Sequence, residues 1–540
     1  MKCLIKNLSR RLYVNYYLLL KKTHIAVLIL LLAAPVLLTG IFTSPRFNDG
    51  IWHLKLVRAW CEYGGRPLEL ASKNNFAIQP EESPLWYFLT SSLCNLTGGY
   101  DYRTVQVFQA VLAGVLLWLV FVLAGMLCGS FKAKTAVLLT GITPILPVCA
   151  ILCYIDLLCA CFILLTIILL YKKQYLWTAL AAAGMWYSKR TGMVLIPVCF
   201  LLLTAQCAMQ YKKNIPRAAL TVAGCLLIFL SLIGWDVWFR GKNFGSDDMI
   251  VRNLAQIAAA AGINVPLKAP PPPPPGEGFE IKVKANPAAG IPEPSGFTYI
   301  ANNRPASDIP LPNFLQWFGF GIPLLILLAL SQLHGTREYL YGLWRKYWIL
   351  LLTGGFFFLM WFLFARRYGR YLIIVFPVLV IMFSGLCNFR NARTVFCLII
   401  AVALIQYAAA IGYTLQSRQL KSTGTAEVLD YLKQQPKNER VFWEEWELAS
   451  YYIPGINATW THEVFSNNAI VRNMYANHIA TVVVAKRFNY TYKGGIYDKG
   501  WPLDRLKFFE QSPEVGKVIE NQQYIVYKLK KNQTAGDAKK

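Results

Sequence analysis

The chain has 540 residues, 56% hydrophobic and 14% aromatic, with a mean hydropathy of +0.39, which excludes an ordinary soluble globular protein and points to a polytopic membrane protein. The formal net charge is +26, but much of the excess sits in short segments between apolar runs, so membrane topology accounts for it better than nucleic-acid binding does. An anionic substrate or a lipid surface accounts for the rest.

The basic N-terminus MKCLIKNLSRRLYVNYYLLLKKTH precedes an apolar run from about Ile25 to Phe42 that lacks a small-x-small cleavage site, so a retained first helix with a cytoplasmic tail is expected. A span needs about 20 apolar residues. Candidates fall near 25–43, 104–128, 135–153, 156–171, 175–188, 191–209, 216–238, 315–334, 347–365, 371–387 and 395–415, about eleven transmembrane helices in a domain covering 1–416. Lys132, Lys134, Lys172, Lys173, Lys212, Lys213, Arg217, Arg337, Arg345, Lys346, Arg390 and Arg393 then share the side of the N-terminal tail, which fits the positive-inside rule with a cytoplasmic N-terminus and an external C-terminus.

Two outer loops are long. The first, 44–103, contains SPLWYFLTSSLCNL, amphipathic and too short to span, which reads as an interfacial helix. The second, 240–313, carries six consecutive prolines, Pro270–Pro275, and reads as a polyproline spacer. From 417 to 540 hydropathy falls. TAEVLDYLKQQ has a helical period, while RVFWE, ATVVVAK and QYIVYKL read as strands, so an extracytoplasmic soluble α/β domain is expected there. The 13 cysteines form no metal pattern and no metal or other cofactor is implied; Cys61 and Cys94 share the first outer loop, where their spacing allows a disulfide.

Several charges break the apolar runs where a hairpin would turn. Asp156 is the sole charge of Thr135–Tyr171; Lys189 and Arg190 interrupt Tyr175–Gln210; Arg366, Arg367 and Arg370, followed by Tyr371, interrupt Tyr347–Cys387. Charges at mid-bilayer are costly, so these belong at hairpin tips. The arginines lie against the positive-inside rule, which favours an anionic partner, since guanidinium binds phosphate with paired donors. Asp49 follows the first span, with His53 at i+4 on the same helical face, and Glu81 and Glu82 precede the interfacial segment. Each alone has a bland reading as a solvated loop acid, a helix cap or a snorkelling cation. Together, carboxylates and cations on one membrane face suit departure of a sugar from a lipid phosphate: a base takes the acceptor proton and cations stabilise the leaving phosphate.

In the order NDGIWHLKLVRAW, GGRP, EESPLWYFL, YID, SKRTGMVLIP and RRYGRYLIIVFP, the sequence resembles the GT-C superfamily of membrane glycosyltransferases, nearest the protein O-mannosyltransferase and aminoarabinose lipid A transferase group. The resemblance covers roughly 45–200 and 360–385. It implies a polyprenyl- or dolichyl-phosphate sugar donor and inverting transfer to a glycan, lipid or protein acceptor, with the active site on the extracytoplasmic face of a multi-pass membrane protein, a bacterial plasma membrane by preference. It implies Asp49 as general base, Asp156 as the second acidic position and Glu82 as a further acid, with Glu81 in the competing register. Lys189, Arg190, Arg366, Arg367 and Arg370 would bind the carrier phosphate; His53 and Tyr371 complete the expected substrate contacts. Two residues depart from the group's pattern: Gly50 stands where a second acid usually follows the first, and Ser83 replaces the first of two prolines. The competing expectation is a transporter or flippase of a lipid-linked anion, which should carry midplane polar residues and often repeated halves; no repeat is visible.

Overall fold

The computed structural model describes residues 2–45, 48–62, 84–243, 321–331, 337–363, 369–389, 393–420, 424–436, 439–443, 446–459, 474, 479–485, 511–521 and 524–530. Helix α1 (Lys2–Lys22) ends where Lys134 Nζ donates to Leu20 O and Thr23 O, each at 2.7 Å. After it come α2 (Ile25–Phe42), α3 (Asn48–Glu62), α4 (Leu85–Leu96) and α5 (Tyr102–Cys128). Asp101 caps α5 by accepting from Arg103 N at 3.1 Å, the use of an Asx residue that a helix start favours.

Helices α6 (Ser130–Ile142) and α7 (Ile145–Ile151) meet at a 54° bend, where Pro144 supplies no amide to continue the ladder. Then follow α8 (Asp156–Tyr171), α9 (Tyr175–Ser188), the single turn α10 (Arg190–Met193), α11 (Ile196–Gln210) and α12 (Ile215–Asn243). The bundle finishes with α13 (Gly321–Ser331), α14 (Arg337–Leu363), a 3-10 turn (Gly369–Ile374), α15 (Phe376–Leu386) and α16 (Arg393–Ser417).

Among the described residues, Ile25–Phe42, Tyr102–Cys128, Ile215–Trp238 and Arg393–Gly412 are long and apolar enough to cross a membrane, and the bent α6–α7 pair makes a fifth. Asp156–Tyr171, Ile196–Gln210 and Phe376–Leu386 are apolar but shorter. Two of the apolar runs that charges interrupt are therefore broken near those charges: 135–171 at Leu152–Ile155 and 175–210 at Lys189. One helix, α8, is buried almost all round, which makes it the axis on which α5, α9 and the 369–374 turn pack. Leu327, Leu230 and Ile405, in contrast, are 62%, 58% and 70% exposed on outward helix faces, as a lipid-facing surface requires.

The C-terminal segment folds as α17 (Thr425–Lys433), β1 (Arg440–Trp443), α18 (Trp446–Tyr452), β2 (Asn457–Thr459), β3 (Ile479–Ala485), β4 (Val515–Glu520) and β5 (Tyr524–Leu529). The strands form one mixed sheet in the order β2-β1-β3-β5-β4, with β1 parallel to β2 and β3, and β5 antiparallel to β3 and β4. Strand β3 is central and its described residues are nearly all buried, which is why IATVVV reads as a continuous apolar run without alternation. The three strands and the helix expected from sequence are present; β2, three residues long, and β4, with one buried residue, carry no such signal. The proline-rich segment 240–313 lies almost entirely outside the described residues.

Candidate functional site

Helix α7 ends at Ile151, and the chain reverses through Leu152–Ile155 before α8 begins at Asp156. Cys153 takes a left-handed conformation, φ 58°, in this reversal, an uncommon position for a residue other than glycine. Asp156 is fully buried in the first turn of α8, where the partial positive charge of the helix N-terminus favours a carboxylate. Its Oδ2 accepts from Lys189 Nζ at 2.8 Å. Lys189 caps the C-terminus of α9 in extended geometry (φ −167°, ψ 144°), where exposed carbonyls favour a cation. Opposite helix ends thus hold opposite charges together out of water. Oδ1 of Asp156 has no hydrogen-bond partner among the described residues.

Two glycines close the site. A Cβ on Gly50 would lie 2.1 Å from Leu152 O, so the first turn of α3, which contains Asp49, rests directly on the reversal leading to Asp156. A Cβ on Gly192 would lie 2.5 Å from Cys159 Sγ, so the turn after Lys189 presses on α8. The 3-10 turn Gly369–Ile374, which includes Arg370 and Tyr371, packs against α7 and α8, and its Leu372, Ile373 and Ile374 are buried. Four chain segments far apart in sequence therefore meet at one end of the bundle: the start of α3, the 151–156 reversal, the 188–193 break and the 369–374 turn.

Of the residues expected in the site, Asp156 and Lys189 are in contact. Asp49, Arg190, Arg370 and Tyr371 belong to the converging backbone segments, and their side chains lie outside the described residues, as do Glu81, Glu82, Arg366 and Arg367 altogether. His53 is 4% exposed, with Nδ1 2.7 Å from the Tyr87 hydroxyl and its ring against Trp86 and Tyr87. In this arrangement it fastens α4 to α3. Helix α4 is the expected amphipathic element: Trp86, Tyr87, Thr90, Ser91 and Cys94 face inward, and Phe88, Leu89 and Leu96 are exposed. The disulfide that spacing allows between Cys61 and Cys94 is not formed; both are free thiols.

Three features escaped the reading from sequence. Arg418, the residue after α16, is 2% exposed; its Nε donates to Ser44 O and one terminal nitrogen to Ile151 O, both at 2.8 Å, while the other donates to the Tyr102 hydroxyl. Burial pushes its guanidinium down to about 9, which leaves it charged at neutral pH. Asp236, on α12, is 3% exposed and accepts from Trp186 Nε1 at 2.8 Å; it is the one acid in the apolar run 215–238, the same signal that singled out Asp156. Finally, Arg58 is sandwiched between Tyr100 and Tyr451 (4.8 and 4.7 Å to the ring centres), the tyrosine hydroxyls are 2.9 Å apart, and Lys55 Nζ donates to Ser450 Oγ at 2.9 Å. These contacts seat the C-terminal segment on α3.

The pattern of the dolichyl-phosphate-mannose-protein mannosyltransferase family matches residues 81–235, a stretch containing both the 151–156 reversal and Lys189–Arg190. Among solved structures, ArnT from Cupriavidus metallidurans bound to undecaprenyl phosphate superposes with a TM-score of 0.53 at 11% identity, covering 93% of this chain and 97% of that one. The Archaeoglobus fulgidus oligosaccharyltransferase in its apo form gives 0.46 at 14% identity, covering 86% and 70%. A search of curated proteins by sequence finds no match. The chain resembles the GT-C glycosyltransferases in fold, with a mannosyltransferase-like segment at the heart of its bundle.

Proposed function

We propose that the protein is a membrane glycosyltransferase that moves a sugar from a polyprenyl- or dolichyl-phosphate donor to an acceptor on the extracytoplasmic side. The observation that carries this reading is the convergence of the Asp49 turn, the Asp156–Lys189 pair and the Arg370 turn at one end of an apolar bundle. The undecaprenyl phosphate named with the ArnT structure supports a lipid-phosphate donor here. The bundle then crosses the membrane about eleven times, with the mixed sheet outside, beside the acceptor.

The Asp49 carboxylate removes the proton as the acceptor oxygen attacks the anomeric carbon. The bond from that carbon to the phosphate oxygen breaks, inverting the centre, and the lipid phosphate leaves with the electron pair. Arg190, Arg366, Arg367 and Arg370 balance the charge that grows on it. Lys189 contributes mainly by neutralising Asp156, because one of its three donors is already committed there. Asp156 in turn keeps the Lys189 ammonium at the mouth of the site. Glu82, or Glu81 in the other register, orients the acceptor.

Asp49→Asn tests the assignment. Purified variant protein, offered lipid-phosphate sugar and the acceptor identified by mass spectrometry of membranes with and without the protein, should transfer roughly 10²–10⁴-fold more slowly, the range a general base contributes. Transfer at the wild-type rate by folded Asp49→Asn protein rejects Asp49 as the base.

A further inference from the structure

Arg418 is a cation with almost no exposed surface, and among the described residues all three of its hydrogen-bond partners are neutral oxygens. Burying a charge among neutral partners is costly, so a purely stabilising role for these three bonds would be better served by an apolar side chain. What arginine supplies uniquely is a rigid fork of donors pointing in fixed directions. Here the fork reaches three chain segments at once: Ser44, at the approach to α3 and Asp49; Ile151, the last residue before the reversal to Asp156; and Tyr102, at the start of α5.

The same segments are held a second time. Ile151 O also accepts from Gln106 Nε2 at 3.0 Å, and that nitrogen lies 2.7 Å from Cys153 Sγ. Gln109 Nε2 reaches Tyr154 O at 3.5 Å. Both glutamines are buried side chains of α5. Beside Ser44, Pro45 O accepts from the Tyr452 hydroxyl at 2.8 Å. The left-handed turn at Cys153 is a conformation that persists only when its surroundings over-determine it, and these bonds are those surroundings.

We propose that Arg418 is a positioning residue: through main-chain carbonyls it locks the Asp49 approach and the Asp156 reversal into mutual register, so that the segment joining the last bundle helix to the C-terminal sheet sets the geometry of the acids. This rests on the glycosyltransferase reading for its catalytic consequence, but not for its structural one. Among the described residues Arg418 makes no hydrogen bond to a carboxylate; its effect passes through Ser44 O and Ile151 O.

Arg418→Lys keeps the charge and removes the fork. In full-length protein in detergent or nanodiscs, amide exchange measured by mass spectrometry should accelerate across residues 44–56 and 149–158 in this variant and remain as in wild type across 376–386. Turnover should fall on the order of tenfold to a hundredfold, the scale of a misplacement approaching 1 Å, with the KM for the lipid donor within about twofold. Arg418→Ala, if it folds, should regain part of its turnover on addition of methylguanidinium. Unchanged exchange in 44–56 and 149–158 overturns the proposal, as does acceleration spread evenly over the chain, which marks a merely structural loss. Wild-type turnover by Arg418→Lys overturns the catalytic half. Should Asp49→Asn transfer sugar normally, Asp49 falls as the base, and should wild-type protein transfer no sugar, the glycosyltransferase reading falls; in either case the exchange pattern still decides whether Arg418 sets the register.

Discussion

Gly50→Ala separates the geometry of the site from the stability of the fold. The added methyl would sit 2.1 Å from Leu152 O, whereas real Cβ atoms keep at least 3.0 Å from such a neighbour, so the first turn of α3 and the reversal must part by about 0.9 Å. The obstacle is a main-chain oxygen, so no side-chain rotation relieves it. Overpacking of this kind costs roughly 1–3 kcal/mol. Alanine in a helix returns up to about 1 kcal/mol relative to glycine, so the net loss of stability is on the order of 0–2 kcal/mol. Catalysis has no such compensation, because a displacement near 1 Å between reacting groups costs roughly 10²-fold in rate. Sugar transfer should therefore fall about a hundredfold in protein whose unfolding midpoint in detergent barely moves. Gly125→Ala, with nothing within 4 Å of its new methyl, is the matched control and should transfer normally. Wild-type transfer by Gly50→Ala would mean that the close approach of α3 to the 151–156 reversal does not set the position of Asp49.

Lys189→Met should destabilise the protein by roughly 3–5 kcal/mol, the cost of leaving Asp156 buried without its cation, and Asp156→Asn in the same chain should restore a large part of it. Unfolding of the two single variants and the double variant measures this coupling; additive losses would show that the pair does not act as one. Above pH 10 the junction between α3 and the C-terminal segment should loosen. Burial raises the pKa of Tyr100, Tyr451 and Tyr452 above the ordinary value near 10, so in that window the unfolded chain releases these protons while the folded one keeps them. The unfolded state then binds fewer protons, and stability falls with rising pH by up to about 1.4 kcal/mol per pH unit per tyrosine, with no contribution below pH 10. Tyrosinate absorbance and unfolding followed together across that range check it; a Tyr100→Phe variant with the same alkaline slope as wild type would remove Tyr100 from the linkage.

Legibility of the chain followed burial and period. Apolar runs interrupted by single charges announced both the helices and the breaks between them, because a charge in hydrocarbon must find an end or a partner. Asp156 and Lys189 were singled out for that reason, and the structure adds that each is the partner of the other. Asp236 carried the same signal, a lone acid in an apolar run. The strands β1, β3 and β5 were legible because both faces of a central strand are apolar; β2 has only three residues, and β4 is an edge strand with one buried residue, so nothing distinguished them from loops. His53 was read on helical spacing with Asp49, yet spacing along one helix is silent about what packs across it, and here that is Trp86 and Tyr87. Arg418 was least legible of all. A basic residue where hydropathy falls reads as a solvated boundary charge, and only three-dimensional contact shows that Ser44 and Ile151, more than 250 residues earlier, close over it.

Gly50 turns the sequence's departure from its resembling group into a physical statement. Where that group usually places a second acid after the first, this chain has no room for any side chain, since even a methyl would strike Leu152 O. An acid there would have to push α3 away from the reversal and would add a second negative charge near Asp156. With glycine, the helix that carries Asp49 can lie against the reversal, and the buried Asp156 carboxylate beyond it is neutralised by Lys189. The absent acid is therefore the condition for this packing rather than a defect in the site. In the mechanism proposed above, Lys189 balances the charge of Asp156, and the arginines of the 190 and 366–370 segments are the groups assigned to the incoming phosphate. A Gly50→Asp substitution tests this directly: if it restored or raised transfer, the close packing of α3 on the reversal would not be what this chain's chemistry depends on.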